Sequence, residues 1–207
     1  PGASVDALEH IQSAVETTVG DIFEVKQGAR AAPRAAFIIN ASTFARLPKS
    51  ERQWFRPVLE NENIRDGKIS AEDFSWIFYP NSVDLAPLKS EAELKRRLPT
   101  FSKHLLRFKD VLRNRRGKAD KWWLLGEDRA WQRKPRLKIA SAYFGLRDQF
   151  AIDQDGSGVI VQGFGWIVRN RKASGSQLRL HQAYLAIFTS NFFSRLLAAF
   201  APRVQGG

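Results

Sequence analysis

Apolar residues recur along the chain with two kinds of spacing, which predict helices and strands in an interspersed order. The clearest helical pattern covers 101–116, where Phe101, Leu105, Phe108 and Leu112 form one apolar stripe. Helices are predicted at 6–18, 48–55, 91–98, 101–116 and 177–200. Strands are predicted at 21–26, 36–39, 74–79, 137–143, 149–152 and 159–168.

The order of these elements predicts an α+β fold with mixed, largely antiparallel sheets and packed helices, because strands and helices do not alternate regularly. Hydrophobic residues make up 43% of the chain and include 15 Phe and 6 Trp, enough to build a core, which excludes a disordered basic tail. The segment 177–200 is apolar nearly all round and is predicted to be buried. We interpret 1–207 as one domain, and a division into two lobes near 88–100 stays open.

The composition also bears on the cellular context. The chain has no Cys, and no apolar run approaches the ~18 residues of a membrane span, which favours a cytoplasmic protein without a membrane partner. Because the sequence has no Met and begins Pro-Gly-Ala, we expect it to be a fragment of a longer protein.

Positive charge is concentrated in one part of the chain. The formal net charge is +12, and the basic segment, defined here as 95–138, holds 16 Lys and Arg against 4 Asp and Glu. Such a segment predicts salt-sensitive binding to a nucleic acid, because each Lys or Arg that neutralises a phosphate releases condensed counterions. Its candidate DNA contacts are Arg113, Arg115, Arg116, Lys118, Lys121, Trp123, Arg129, Arg133, Lys134 and Arg136. The alternative is that these side chains cover the edge of a core and the Trp residues are interior.

Three loops outside the basic segment carry side chains suited to DNA recognition. The loop after the strand at 21–26 begins with Gln27, suited to a bidentate contact with adenine, and contains Arg30, suited to guanine. The loops at 60–65 and 169–172 are further candidates for base reading and phosphate contact. The candidate contacts in the three loops are Gln27, Arg30, Arg34, Asn61, Asn63, Arg65, Arg169, Arg171 and Lys172. An ordinary solvated loop is the alternative in each case.

The sequence contains no recognisable catalytic centre. The Asn/Asp-Pro-Pro-Tyr/Phe string of amino-methyltransferases has no counterpart, since the nearest string, YPNS at 79–82, has one Pro in the wrong frame. No glycine-rich loop joins a strand to a helix as a cofactor site requires. The fragments of the acid-x-Lys form used by many nucleases are EVK (24–26), DGK (66–68) and ELK (93–95). The histidines, which have no second ligand at metal-binding spacing, are His10, His104 and His181.

Several strings, taken together in their order, resemble a known family. They are GDIFEVKQG (20–28), AFI (36–38), FRPV (55–58), LP (98–99), WW (122–123), KPRLKI (134–139), FAID (150–153), YLAIF (184–188) and SN (190–191). The chain from Gly20 to Val204 resembles the TaqI-like C-terminal specificity domain of adenine methyltransferases and fused restriction-modification enzymes. It departs from the family pattern in the first loop, which continues from Arg30 to Arg34 without a second Gly. The order Ser190-Asn191 is also the reverse of the family's Asn-Ser.

The resemblance implies an α+β target-recognition domain that reads duplex DNA and is not an enzyme by itself. A separate catalytic methyltransferase domain of the parent protein, with S-adenosylmethionine as its cofactor, would flip out and methylate an adenine. Two alternatives stay open: a small metal-dependent nuclease built on an acid-x-Lys fragment, and an RNA-binding or protein-interaction module that uses the basic segment.

Overall fold

The computed structural model describes residues 13–14, 16–70, 74–116, 120–143, 149–169 and 174–200. The helices in these ranges are α1 (Val19–Ile22), α2 (Arg34–Phe37), α3 (Ala41–Arg46), α4 (Lys49–Arg52), α5 (Glu91–Arg97), α6 (Pro99–Leu106), α7 (Lys109–Asn114), α8 (Ser174–Phe188) and α9 (Asn191–Phe200). The strands are β1 (Phe23–Gln27), β2 (Ile38–Ile39), β3 (Phe55–Leu59), β4 (Ile64–Arg65), β5 (Lys68–Ile69), β6 (Trp76–Phe78), β7 (Lys138–Ser141), β8 (Phe150–Asp153), β9 (Val159–Ile160) and β10 (Phe164–Val168). The helix predicted at 6–18 lies largely outside the described residues.

The first sheet has the strand order β1-β10-β7-β8, and all its pairs are antiparallel. Helix α8 packs on β7 and β8 and contributes Phe188, which is fully buried. The Phe188 ring lies 5.2 Å from that of Phe150 and 5.1 Å from that of Trp166, between ring centroids. These aromatic contacts explain why the apolar C-terminal segment packs against the sheet.

The second sheet has the order β2-β6-β3-β9, in which β3 and β9 form the one parallel pair of this sheet. Its core is shared with α5 and α6 through Leu94, Leu98 and Phe101. The Phe101 ring meets Phe55 of β3 edge-on, with centroids 4.8 Å apart. Strands β4 and β5 form a separate two-stranded antiparallel sheet. The predicted α+β class with largely antiparallel sheets is thus confirmed.

The two sheets are joined where the chain crosses between them at 154–158, between β8 and β9. Arg56 of β3 donates hydrogen bonds to Ser157 O at 2.8 Å and to Gly156 O at 3.0 Å. From the first sheet, Lys138 of β7 pairs with Asp153 and also donates to Gly156 O at 3.3 Å. Burial lowers the pKa of Lys138 and raises the pKa of Asp153, and each partner's charge opposes that effect on the other. The crossing loop is therefore bound from both sheets.

The predicted single strand at 159–168 is instead two strands in different sheets. Strand β9 belongs to the second sheet and β10 to the first, and residues 161–163 connect them. Gly163 has φ +124°, and a Cβ there would lie 2.1 Å from Ser141 O. Only glycine fits this turn, which ends one strand and begins the other.

The two long helices predicted at 101–116 and 177–200 are each broken. The first divides at Arg107 and Phe108, whose N–H groups bond three residues back instead of four. The second ends at Phe188 and restarts at Asn191, since the hydroxyl of Ser190 accepts the N–H of Phe193 as a helix cap. The expectation that this segment is buried throughout is wrong, because Phe192 is 71% exposed.

Two shorter predictions are also corrected. The helix at 48–55 covers only Lys49–Arg52, and Phe55 already belongs to strand β3. Of the strand predicted at 36–39, only Ile38–Ile39 is extended, whereas Arg34–Phe37 forms a helical turn.

No helix in the described part of the chain is long and apolar enough to span a bilayer.

Candidate nucleic-acid interface

A cleft of about 670 Å³ opens where the chain passes between the two sheets. The loop after β1 lines it, and so do residues 161–163, which link β9 to β10. Side chains from three predicted contact regions line it: the first loop, the 60–65 loop and the basic segment. The predicted contact residues that meet there are Gln27, Arg30, Arg34, Asn61 and Arg129.

Backbone hydrogen bonds hold the first loop against the end of β9 and the 161–163 link. Gly28 N–H donates to Gly163 O at 3.0 Å, and Ala29 N–H donates to Ile160 O at 2.8 Å. A Cβ at residue 28 would lie 2.6 Å from Ile160 O, which is closer than atoms pack. Gly28 therefore permits the close approach that closes this side of the cleft.

Arg129 fixes the start of the same loop. Its Nε donates to Gly28 O at 3.0 Å, and its Nη2 donates to Gln27 Oε1 at 2.8 Å. The same Nη2 lies 2.5 Å from Glu127 Oε2. Arg129 also has φ +54°, a region that non-glycine residues rarely occupy. The sequence predicted a DNA contact for Arg129, but its donors are directed at the protein and position the loop.

Arg34 and Glu60 join the first loop to the 60–65 loop. The guanidinium makes a bidentate pair with the Glu60 carboxylate, at 2.6 and 2.7 Å. This bond raises the pKa of Arg34, and Glu60 itself is buried. The pair brings Asn61 to the cleft. The sequence predicted Arg34 as a DNA contact, but its guanidinium is bound to Glu60 and holds the two loops together.

The remaining residues of the 60–65 loop divide between surface and core. Asn63 is 6% exposed, contrary to the accessible position that a base contact requires. Arg65 is exposed and lies with Asn61 at a neighbouring hollow of about 390 Å³. Asn61, Glu62 and Arg65 are thus the side chains of this loop that a ligand can reach.

The basic segment is not one continuous cationic surface, because several of its charges bind to the protein itself. Arg115 donates to Leu124 O at 2.5 Å and to Ala32 O at 3.5 Å, and burial lowers its pKa. Arg133 forms a bidentate pair with Asp128, and Lys121 donates to Leu88 O at 3.0 Å. In addition, Lys109 and Lys95 lower the pKa of Glu91 to about 2 by hydrogen bonding to it. Trp122 and Trp123 are both core residues, at 8% and 6% exposure, so the predicted contact by Trp123 is corrected.

Other cations of the segment remain exposed. In the described ranges, no hydrogen bond or ion pair engages the side chains of Lys103, Arg107, Arg113, Arg116 and Lys134. Arg113 and Arg116 flank Arg115, whose contact with Ala32 ties this end of α7 to the cleft wall. The exposed arginines therefore lie next to Arg115 in sequence, at the end of α7 that contacts the cleft wall.

The remaining predicted contacts lie elsewhere or outside the described residues. Lys134 and Arg136 border a smaller hollow of about 200 Å³ with His181. Arg169 is exposed, and its Nε donates to Gly20 O at 2.7 Å. The residues predicted as contacts that lie outside the described ranges are Lys118, Arg171 and Lys172.

Sequence reasoning did not single out three polar residues of the cleft. Glu127 accepts from Arg129 and from Arg30. Tyr143 is 47% exposed and stacks on Phe164, and Gln162 is exposed between the two sheets. Glu127 is one of only four acids in the basic segment, which is a usable signal, whereas nothing local distinguishes Tyr143 or Gln162.

The three acid-x-Lys fragments and the histidines occupy separate elements. Glu24 and Lys26 pair at 2.6 Å on β1, whereas Glu93 accepts the Lys89 N–H at the start of α5. His104 bonds Ala35 O at 2.9 Å through Nε2, His181 bonds Gln177 O at 2.7 Å through Nδ1, and His10 lies outside the described residues. Over the ranges that the structure covers, no three His, Asp or Glu side chains are grouped as a metal site.

Comparisons with known proteins concern the fold. No protein-family model matches this chain. No curated protein matches it. Its fold is similar to part of a restriction-modification enzyme. That enzyme is MmeI, of Type IIL, solved in complex with DNA; the TM-score is 0.54 at 9% identity, covering 92% of this chain and 24% of MmeI. The chain thus spans about a quarter of that enzyme.

Proposed function

We propose that this chain is the non-catalytic specificity domain of an adenine-N6 DNA methyltransferase, or of a restriction-modification enzyme, and that it recognises a sequence in duplex DNA. The observation that carries the proposal is that Gln27 and Arg30 of the first loop meet Asn61 of the 60–65 loop at one cleft. The fold likeness to an enzyme solved with DNA agrees with this role.

The residues proposed to act in DNA binding fall into three groups: phosphate contacts, base contacts and residues that position the loops. Arg113 and Arg116, exposed at the end of α7, would bind phosphates and set the register of the duplex. Gln27, Arg30 and Asn61, which line the cleft, would read base edges in the major groove. Arg34, Arg115 and Arg129 would act indirectly, because their hydrogen bonds hold the loops that carry the reading side chains.

The proposed partner within the parent protein is a catalytic methyltransferase domain, which would bind S-adenosylmethionine and the flipped adenine. The share of MmeI that this chain spans agrees with a module of a larger enzyme. We place the parent protein in the bacterial or archaeal cytoplasm, where restriction and modification of DNA take place.

Fluorescence anisotropy with a labelled duplex tests the proposal on the 207-residue chain. If Arg113 and Arg116 contact phosphates, affinity should fall about 12-fold between ~50 and ~200 mM salt, because each contact contributes a log–log slope of about −0.9. Competition with single-stranded DNA and structured RNA provides the control. Affinity indifferent to salt, or a preference for RNA, would contradict the proposal.

A further inference from the structure

We propose that Gln27 and Arg30 together read a guanine, through hydrogen bonds that both side chains donate. This inference rests on the proposed function and names the base edge that the same cleft recognises. It replaces the bidentate contact of Gln27 with adenine that the sequence alone suggests, because such a contact needs one donor and one acceptor from the amide.

The acceptor of the Gln27 amide is already engaged. Arg129 Nη2 donates to Gln27 Oε1 at 2.8 Å, and a guanidinium has no acceptor atom, so the amide oxygen must face Arg129. The guanidinium is in turn held by Gly28 O at 3.0 Å and by Glu127 Oε2 at 2.5 Å. The orientation of the Gln27 amide is therefore set by three contacts of one fixed arginine.

The other end of the amide is open to the cleft. Gln27 is exposed and lines the cleft, and in the described part of the chain no hydrogen bond involves its Nε2. The group that Gln27 offers to a ligand is thus an NH2 donor. It can bind the N7 of a purine or the O6 of guanine. The amide oxygen keeps a second lone pair, but its bond to the Arg129 cation makes it a weaker acceptor for the amino groups of adenine or cytosine.

The carboxylate of Glu127, which also lines the cleft, binds two arginines of the chain. Glu127 lies 3.4 Å from Arg30 Nη1 through Oε1 and 2.5 Å from Arg129 through Oε2. The Arg30 side chain is 70% exposed, so donors of its guanidinium remain available to a ligand. This side of the cleft therefore presents donors from Arg30 and Gln27, and guanine is the base whose major-groove edge carries two acceptors, O6 and N7.

The substitution Gln27→Glu tests the inference with little change in shape. One carboxylate oxygen can still accept from Arg129, so the fold should be retained, and an unchanged melting temperature checks this. The other oxygen replaces the NH2 donor with an acceptor. Both proteins would be used to select duplexes from a randomised pool, and the bound duplexes would be sequenced. We expect the wild type to select guanine at one position, and Gln27→Glu to reduce that preference about fivefold or more in favour of cytosine or adenine.

Gln162→Glu is the matched control, because it adds the same charge to the same cleft at a residue that Arg129 does not contact. It should weaken binding without moving the guanine preference at that position. If the wild type binds duplexes but Gln27→Glu leaves every base preference unchanged, or if Gln162→Glu causes the same loss, the inference fails while the proposed function stands. If the wild type does not bind duplex DNA, the proposed function fails first and the inference with it.

Discussion

Single residues set the shape of the cleft because they permit contacts that other residue types would prevent. Gly28 approaches Ile160 too closely for any side chain, and Gly163 adopts a φ of +124° beside Ser141 O. Arg129 adds a cation whose Nε and Nη2 bind Gly28 O and Gln27 Oε1 of the loop. The polar residues that face a ligand are positioned by these neighbours, which themselves need not touch DNA.

The substitution Gly28→Ala should be destabilising, because its Cβ would meet Ile160 O at 2.6 Å and Ile160 Cγ2 at 2.8 Å. We expect a loss of about 1–3 kcal/mol in the free energy of unfolding, measured in urea, together with weaker DNA binding as the loop moves. Gly20→Ala is the control, since its Cβ would find its nearest neighbour, Thr18 Oγ1, at 3.6 Å. Equal losses for the two variants would refute the close-approach argument.

At the scale of elements, the end of helix α7 combines a structural arginine with two exposed ones. Arg115 bonds to Leu124 O and Ala32 O, and its guanidinium lies 5.6 Å from the centre of the Phe37 ring. Arg113 and Arg116 project from the same end into solvent. One short stretch of sequence thus attaches the helix to the cleft wall and also presents two exposed cations.

Alanine variants of these arginines should separate the two roles. Arg113→Ala and Arg116→Ala should each weaken binding by a similar factor for all duplex sequences and reduce the salt slope by about 1. Their stability should change by less than about 0.5 kcal/mol. Arg115→Ala should cost about 1–3 kcal/mol in stability, because it leaves Leu124 O without its donor. Anisotropy and urea unfolding measure the two effects, and Arg46→Ala, at an exposed arginine outside the basic segment, is the control. An intact salt slope in Arg113→Ala and Arg116→Ala would count against phosphate contact.

At the scale of the whole molecule, buried polar side chains join the two sheets. Lys138 and Asp153 come from neighbouring strands of the first sheet, and Asp153 also accepts the Gly158 N–H at 3.1 Å. Arg56 of the second sheet binds the same crossing loop. We therefore expect the sheets to unfold together, whereas the division into two lobes near 88–100 stays a prediction.

Replacing Lys138 with Met should be strongly destabilising, since it leaves the Asp153 carboxylate buried without a cation. We expect a loss of about 3–5 kcal/mol. Asp153→Asn, added to Lys138→Met, should recover part of this loss, because a neutral amide can still accept the Gly158 N–H. Urea unfolding followed by circular dichroism and by Trp fluorescence measures both effects, and the two signals should change at the same urea concentration. A double variant less stable than Lys138→Met alone would show that an unpaired charge is not the cause.

Much of the fold follows from local sequence patterns. The strands at 23–27, 76–78 and 150–153 and the helix at 91–97 lie close to their predicted positions, because each has a clear apolar period and a turn or cap beside it. The breaks in the long segments were not predicted. A run such as 159–168 has the same period whether its two halves join one sheet or two.

The candidate site was predicted in part, since Gln27, Arg30 and Asn61 meet at one cleft as residues of the proposed reading loops. Other predicted contacts have structural roles, because residue type does not reveal whether a cation faces solvent or a carboxylate of its own chain. Arg34 pairs with Glu60 across 26 residues of sequence, and Arg129 bonds Gln27 across 102. No local pattern encodes such separations.

The sequence by itself determined the α+β class, the positions of most elements and the concentration of positive charge between 95 and 138, because these depend on local periodicity and composition. Only the tertiary structure decided which charged side chains bind other groups of the protein, which tryptophans are buried and which atom of Gln27 faces the cleft. Those outcomes depend on contacts between residues distant in sequence, and such contacts form only when the two sheets pack together.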